Sequence, residues 1–217
     1  CDATASLLHS KPGRPHTATI HCTERPNLGM EFAGFLQHVF ANYNNMSDML
    51  VFVSSQVDSH DRARLMKVIM DEPNPIVCPG HVHRHTAIRF CRPDVAAPAL
   101  NYTNGQGVHM MLQPASPRPA GPWAAARGIK FAWSTTSARC CHLSVFKTSR
   151  QALHMRPPAF YVNLYNELVQ HVHPEANHYH EYLAGEIFGG GAPYTVVDIT
   201  KVQRKYKTRD TRQYQYK

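Results

Sequence analysis

Several absences narrow this chain before any motif does. No run approaches the roughly 18 apolar residues that a membrane-spanning helix needs. The longest apolar stretches, such as Met49 to Val53, have the length of strands. The six cysteines, Cys1, Cys22, Cys78, Cys91, Cys140 and Cys141, include no C-x-x-C pair. There is no internal repeat, so a stacked-repeat architecture is not indicated. Outside the C-terminus the charge is close to neutral, so no whole-surface basic face for nucleic acid is expected. The chain opens at Cys1 rather than Met, the pattern of a mature form or of a fragment whose targeting segment has been removed.

What is present suits a folded domain. Hydrophobic residues make up 43% of the 217, enough for a substantial core and unlike a disordered composition. Irregular cysteine spacing and two sequons, at Asn45 and Asn101, favour an oxidising compartment: the secretory lumen or the cell exterior, and a disulfide-bonded glycoprotein. The cysteine pairing stays open, and buried thiols are the bland alternative. Of the net charge of +8, the tail Lys201 to Lys217 supplies +6, with seven Lys/Arg against Asp210. That tail also holds Tyr206, Tyr214 and Tyr216. It suits RNA, acidic glycans, an anionic membrane or a partner protein, and a solvated tail is the commoner outcome.

Periodicity sets out an alternation of strands and helices. Cys1 to Pro15 reads as an irregular lead-in, and Ala18 to Cys22 as a first strand. Asn27 is placed to cap a helix carrying Leu28, Phe32, Phe35, Leu36, Val39 and Tyr43 at helical spacing. Met49 to Ser54 follows as a buried strand, then a helix over Arg62 to Met70, ended by Pro73 and Pro75. Residues 76–128 are weakly patterned and read as a long irregular insertion, with Pro114, Pro117, Pro119 and Pro122 in a stiff loop. A strand over Leu143 to Phe146, a short helix from Ser149 to Met155, a helix after Pro157 and Pro158, and a last helix from Asn177 to Phe188 complete the order. The expectation is one α/β domain over 1–200 with a mostly parallel sheet flanked by helices, and a basic tail over 201–217.

Several segments are collinear with a known pattern. Asn27-Leu-Gly-Met-Glu31, Phe35-Leu36, Asn42-Tyr43, Asp48 and Val51-Phe52 come first. Cys141 to Arg150, Arg156-Pro157, Phe160-Tyr161, Glu181-Tyr182-Leu183 and Ile187-Phe188-Gly189 follow in order. Together they cover about two thirds of the chain. They resemble an uncharacterised domain family, found mainly in fungi and algae, that looks related to GT-A glycosyltransferases. The resemblance implies a GT-A-like, Rossmann-like fold, a nucleotide-sugar donor, a glycan or protein acceptor, and Mn²⁺ or Mg²⁺ as cofactor. This chain departs from the pattern at Met30, where the family has Arg, and at Ala184, where it has Trp. It also has no Asp-x-Asp to hold a metal against the diphosphate. A metal-independent enzyme, or a non-catalytic structural or binding subunit of a larger assembly, are the two readings that follow.

Candidate residues fall in and around these segments. Asp58, His60 and Asp61 follow the strand that ends near Ser54, where open α/β sheets bind ligands. Asp58 and Asp61 suit a metal, but helix capping is the commoner use of such a pair. His60 has no capping role and matches the family pattern. Glu31 sits in the first helical turn, where it balances the helix dipole or, with His60, serves catalysis as a general base. Asn27 and Glu181 are candidate substrate contacts. Glu181 reads otherwise as exposed helix surface. Arg150 suits bidentate phosphate binding or a surface position. His81, His83 and His85 alternate as on one strand face between Cys78 and Cys91, which suits Zn²⁺ or Cu²⁺. With fifteen histidines in the chain and no carboxylate partner in sight, a solvated loop is the simpler reading.

Overall fold

Two clusters of apolar residues, set apart by the faces of one sheet, organise the protein in the computed structural model. The structure describes residues 2–7, 16–21, 28–54, 59–81, 101–103, 109–130, 140–142 and 144–198, with side chains over 28–54, 64–80, 111–130, 140–142 and 144–198. Asn27, Asp58, His83, His85 and the tail 201–217 lie outside the described residues, and so do the side chains of His60, Asp61, His81 and Asn101.

The chain begins with an antiparallel hairpin, β1 (Asp2–Leu7) against β2 (His16–His21), in register from Asp2 opposite His21 to Leu7 opposite His16. This replaces the irregular lead-in expected at the N-terminus. A run of small and polar residues carries little strand signal until its partner is known.

Helix α1 (Met30–Ala41) buries Phe32, Ala33, Leu36 and Val39 along one stripe, the i, i+1, i+4, i+7 spacing of a core-facing face. Its cap position is Gly29 rather than Asn27. Gly29 has φ 71°, and a Cβ there would lie 2.9 Å from Leu168 Cβ. Its N–H donates to His171 O at 3.0 Å. Glycine is required because the start of α1 lies directly on the end of α5 (Pro158–Leu168), in a backbone region that a side chain disfavours.

The main sheet contains β3 (Met49–Val53), β4 (Val77–His81), β7 (Cys140–Cys141), β8 (Val145–Ser149) and β9 (Thr195–Asp198). A separate pair, β5 (Asn101–Thr103) and β6 (His109–Met111), is antiparallel. In the main sheet β8 runs antiparallel to both β3 and β4, β7 is antiparallel to β4, and β9 is parallel to β4. The sheet is therefore mixed, and the expectation of a mostly parallel one is corrected. Strand β8 lies between β3 and β4 although it follows them by many residues. Periodicity reports which residues face inward, not which strand is the neighbour or its direction.

Alternation along β8 separates the two faces. Phe146 and Thr148 point to one side, where Phe146 stacks on Phe52 at 4.9 Å and meets Phe188 at 4.5 Å, and the Thr148 hydroxyl donates to Phe188 O. Helices α1, α5, α6 (Glu175–Tyr182) and α7 (Ala184–Phe188) contribute to this core. Val145 and Lys147 point to the other side. There Val145 and Val77 join Leu65 and Ile69 of α2 (Ser59–Asp71), and buried Lys147 donates to Glu72 O at 2.6 Å. The architecture is α/β, a mixed sheet with helices on both faces.

Strand β4 lies inside the segment expected to be irregular, and Pro79 explains why it escapes a sequence reading. Between their shared pairings, Gly80 with Cys141 and Val77 with Lys147, β4 has two residues where β7–β8 has five. The extra residues bulge out opposite Pro79, which has no N–H to offer, while Pro79 O accepts the N–H of His142 at 2.8 Å. A proline is accommodated in a sheet at such a bulge. Ser144 within it has φ 47°.

The proline-rich loop is held by one buried carboxylate. Glu175, fully buried at the start of α6, accepts from Ala115 N–H at 2.9 Å, from Arg118 Nε and from the Tyr179 hydroxyl at 2.7 Å. Gln113 and Pro174 form a parallel bridge beside it. Helix α3 (Ala120–Ala126) then inserts Trp123 into the core. The last helix expected from the sequence is divided at Leu183 into α6 and α7, and α4 (Arg150–Leu153) is capped by the Ser149 hydroxyl.

Candidate functional site

Strands β3, β4 and β9 point the same way, so their carboxyl ends meet at one edge of the sheet. The β7–β8 bulge lies at that edge: Ser54 N–H donates to Ser144 O at 3.0 Å, just past the end of β3. This is where an open α/β sheet leaves a crevice for a ligand.

Glu31 reaches this edge from the first turn of α1. It accepts a 2.7 Å hydrogen bond from the buried Ser144 hydroxyl. Met30 and Ser144 are the non-glycine residues with positive φ among the described residues, and they adjoin the two ends of this bond. Strain of this kind is retained where the surroundings enforce it, often at functional sites.

The other half of the site comes from α6. Glu181 Oε1 lies 3.2 Å from His142 Nδ1, with the Glu181 side chain 15% exposed and that of His142 31% exposed. The contact is at ion-pair distance. Burial works against a charge on His142, and Glu181 more than offsets it, so the imidazole is held above its ordinary value. His178 shares the Glu181 face at i, i+3 spacing. Burial holds its imidazole below the ordinary value, against the pull of Glu181, Glu31 and Glu175. The site thus pairs one imidazole that favours the charged form with one that stays neutral.

The structure brings Glu31 and Glu181 to the same edge of the sheet. It sets Arg150 apart, at the start of α4 and the opposite end of β8. There Arg150 Nη2 lies 3.1 Å from Asp48 Oδ1 and its N–H donates to Asp48 O. The length of β8, from Val145 to Ser149, separates it from Ser144 by roughly 13 Å or more. Asn27 and Asp58 are outside the described residues. Of His60 and Asp61 only the backbone is described, in the first turn of α2, which starts just beyond the same end of β3. Asn45 is exposed in the turn after α1, a surface position compatible with its sequon.

His142, Ser144 and His178 are absent from the candidates read from the sequence. His178 and Glu181 carry a usable signal, an imidazole and a carboxylate one turn apart on a helix. His142 and Ser144 carry none, because the bulge that turns them to the site depends on a partner strand more than sixty residues away.

A cleft of about 550 Å³ lies elsewhere, lined by Ser116, Pro117, Arg127, Phe160, Leu164 and Glu167 among others. Its charged groups are committed to each other: Glu167 accepts from Trp123 Nε1 and Arg127 Nε, each at 2.7 Å, and the guanidinium stacks on Trp123. The strand-end cluster is therefore the stronger site. Among the described residues no group of three His, Cys, Asp or Glu side chains could hold a metal ion, and no helix is long and apolar enough to cross a membrane.

Fold and cluster together define an α/β domain with a carboxylate–imidazole site at the carboxyl edge of its sheet. Comparison with family models, curated proteins and solved structures returns no match, so the site is read from its own geometry.

Proposed function

We propose that this chain is a glycosyltransferase-like domain of the secretory pathway or cell exterior, acting on a nucleotide-sugar donor and a glycan or protein acceptor. The observation that carries the reading is the convergence of Glu31, bonded to Ser144, and Glu181, paired with His142, at the carboxyl edge of the sheet. Carboxylates are good partners for sugar hydroxyls and poor ones for phosphate, and they outweigh the imidazoles beside them. The reading therefore gives them the sugar, and gives the diphosphate to the N-terminus of α2, whose dipole favours an anion. The GT-A-like form of the fold belongs to this proposal too. Mn²⁺ or Mg²⁺ would require Asp58 and Asp61, whose side chains lie outside the described residues.

The test is a panel of common nucleotide-sugars, with and without Mn²⁺, read by thermal shift and by donor hydrolysis. One donor is expected to raise the Tm and to turn over slowly. Glu31→Gln is expected to keep the fold and lose about tenfold or more of the turnover through a weaker hold on a sugar hydroxyl. Absence of both shift and turnover across the panel overturns the proposal.

The missing Asp-x-Asp favours a second reading, a non-catalytic subunit of an extracellular or luminal assembly bound through the tail. Native mass and cross-linking of the tail distinguish it, and a monodisperse monomer with a protease-sensitive tail counts against it.

A further inference from the structure

We propose that His142, oriented by Glu181, is the general base that takes the proton of the attacking acceptor hydroxyl, from a sugar or from a Ser or Thr side chain. This rests on the sugar-transfer reading of the same site and adds a residue that the motifs do not assign.

The geometry separates the jobs of the two carboxylates. Glu31 Oε1 already accepts a hydrogen bond from the Ser144 hydroxyl, and its other oxygen is assigned to a substrate hydroxyl. Glu181 lies against Nδ1 of His142, an atom buried from solvent. The exposed third of the side chain therefore lies on atoms other than Nδ1. An imidazole with a carboxylate behind one nitrogen is an oriented base at the other. The bulge opposite Pro79 supplies the orientation, and Cys141, next to His142, is anchored by its disulfide to Cys78 and by the Gly185 N–H, 3.2 Å from its Sγ.

In the step, the acceptor oxygen forms a bond to the anomeric carbon while the bond from that carbon to the diphosphate oxygen breaks. The electron pair leaves with the nucleoside diphosphate, and the acceptor proton passes to His142 Nε2. Glu181 stabilises the imidazolium. Among the charged and titratable groups near His142 are Glu181 and His178 on α6, and Glu31 on α1 by way of Ser144. His178 stays neutral and does not compete for the charge.

Two measurements test this. Acylation of neutral imidazole by diethyl pyrocarbonate, followed at His142 by mass spectrometry across the neutral pH range, needs no turnover. Wild type is expected to show a midpoint above that of an ordinary histidine, Glu181→Gln a lower one, and Glu181→Asp a partial return. Transfer to an acceptor is expected to rise with pH through the wild-type midpoint and level off above it. His142→Gln is expected to remove that rise, with about a hundredfold or greater loss on the plateau, while a donor-induced thermal shift remains measurable.

A His142 that resists acylation, or a midpoint indifferent to Glu181, overturns the inference while donor binding stands. Failure of wild type to bind or turn over any donor overturns the sugar-transfer reading instead, with the acylation result unaffected.

Discussion

His180 shows how one side chain can set a pH limit. Its ring is fully buried, with Trp123 edge-on at 5.0 Å and Phe32 at 5.9 Å, and Nδ1–H donates to Ala176 O at 2.7 Å. Burial, helped by Arg127 and opposed by the bond to Ala176, lowers its pKa to about 4 from 6.5. Between these values the unfolded chain binds a proton that the folded one refuses, so stability falls as pH falls through this window. The contribution lost is on the order of 3 kcal/mol. His180→Gln is expected to flatten the dependence of the urea midpoint on pH over that range, although the variant starts less stable. An unchanged slope would show that His180 is not the group refusing the proton. His142 contributes in the opposite sense. Its raised pKa adds stability that is present at low pH and lost as pH rises through the folded value. In the sequence both are simply histidines among fifteen. Their contrary behaviour comes from the neighbours that folding brings to each.

Among the elements, the β7–β8 bulge and the proline-rich loop share a logic. Each is an irregular stretch of backbone held in one shape by a specific polar contact. At the bulge the contacts are His142 N–H to Pro79 O and Ser144 to Glu31. At the loop they converge on Glu175. Removing that carboxylate leaves Ala115 N–H, Arg118 and Tyr179 with no acceptor there, so Glu175→Ala is expected to cost about 3 to 5 kcal/mol in urea unfolding. It should also speed proteolysis between Gln113 and Pro119. A loss below about 1 kcal/mol would mean that the prolines alone hold the loop. Helices α1 and α5 were the most legible elements, because their apolar stripes repeat at helical spacing. Strand β4 was the least legible: Pro79 and Gly80 resemble a turn, and only the partner strand reveals the bulge that accommodates them.

For the whole molecule, Cys78–Cys141 joins β4 to β7 across a sequence separation of 63. Both residues are buried, at 1% and 2% exposure, so reductant is expected to reach the bond only after local opening. Loss of the cross-link by Cys78→Ser with Cys141→Ser is expected to lower stability by about 4 kcal/mol on the loop-entropy account. If urea midpoints of the double variant and wild type coincide, the denatured chain is not the state that the bond constrains. Because Cys141 adjoins His142, the same variant is also expected to slow acylation at His142 less than it lowers stability, the bulge retaining its bonds to Pro79 and Glu31.

The amino-acid sequence by itself determined the alternation of strands and helices, the inward faces of α1, β3 and α5, and the positions of Glu31 and Glu181 as carboxylates to watch. Those features depend on residues near one another in the chain, where spacing and side-chain chemistry act locally. Tertiary structure alone decided the mixed direction of the sheet, the choice of Cys141 for Cys78, and the turn of His142 and Ser144 toward the two carboxylates. It also separated Arg150 from them by the length of a strand. Each of these depends on which distant segment becomes the neighbour, a choice made by the fit of the buried faces and the pairing of backbone groups over the whole chain.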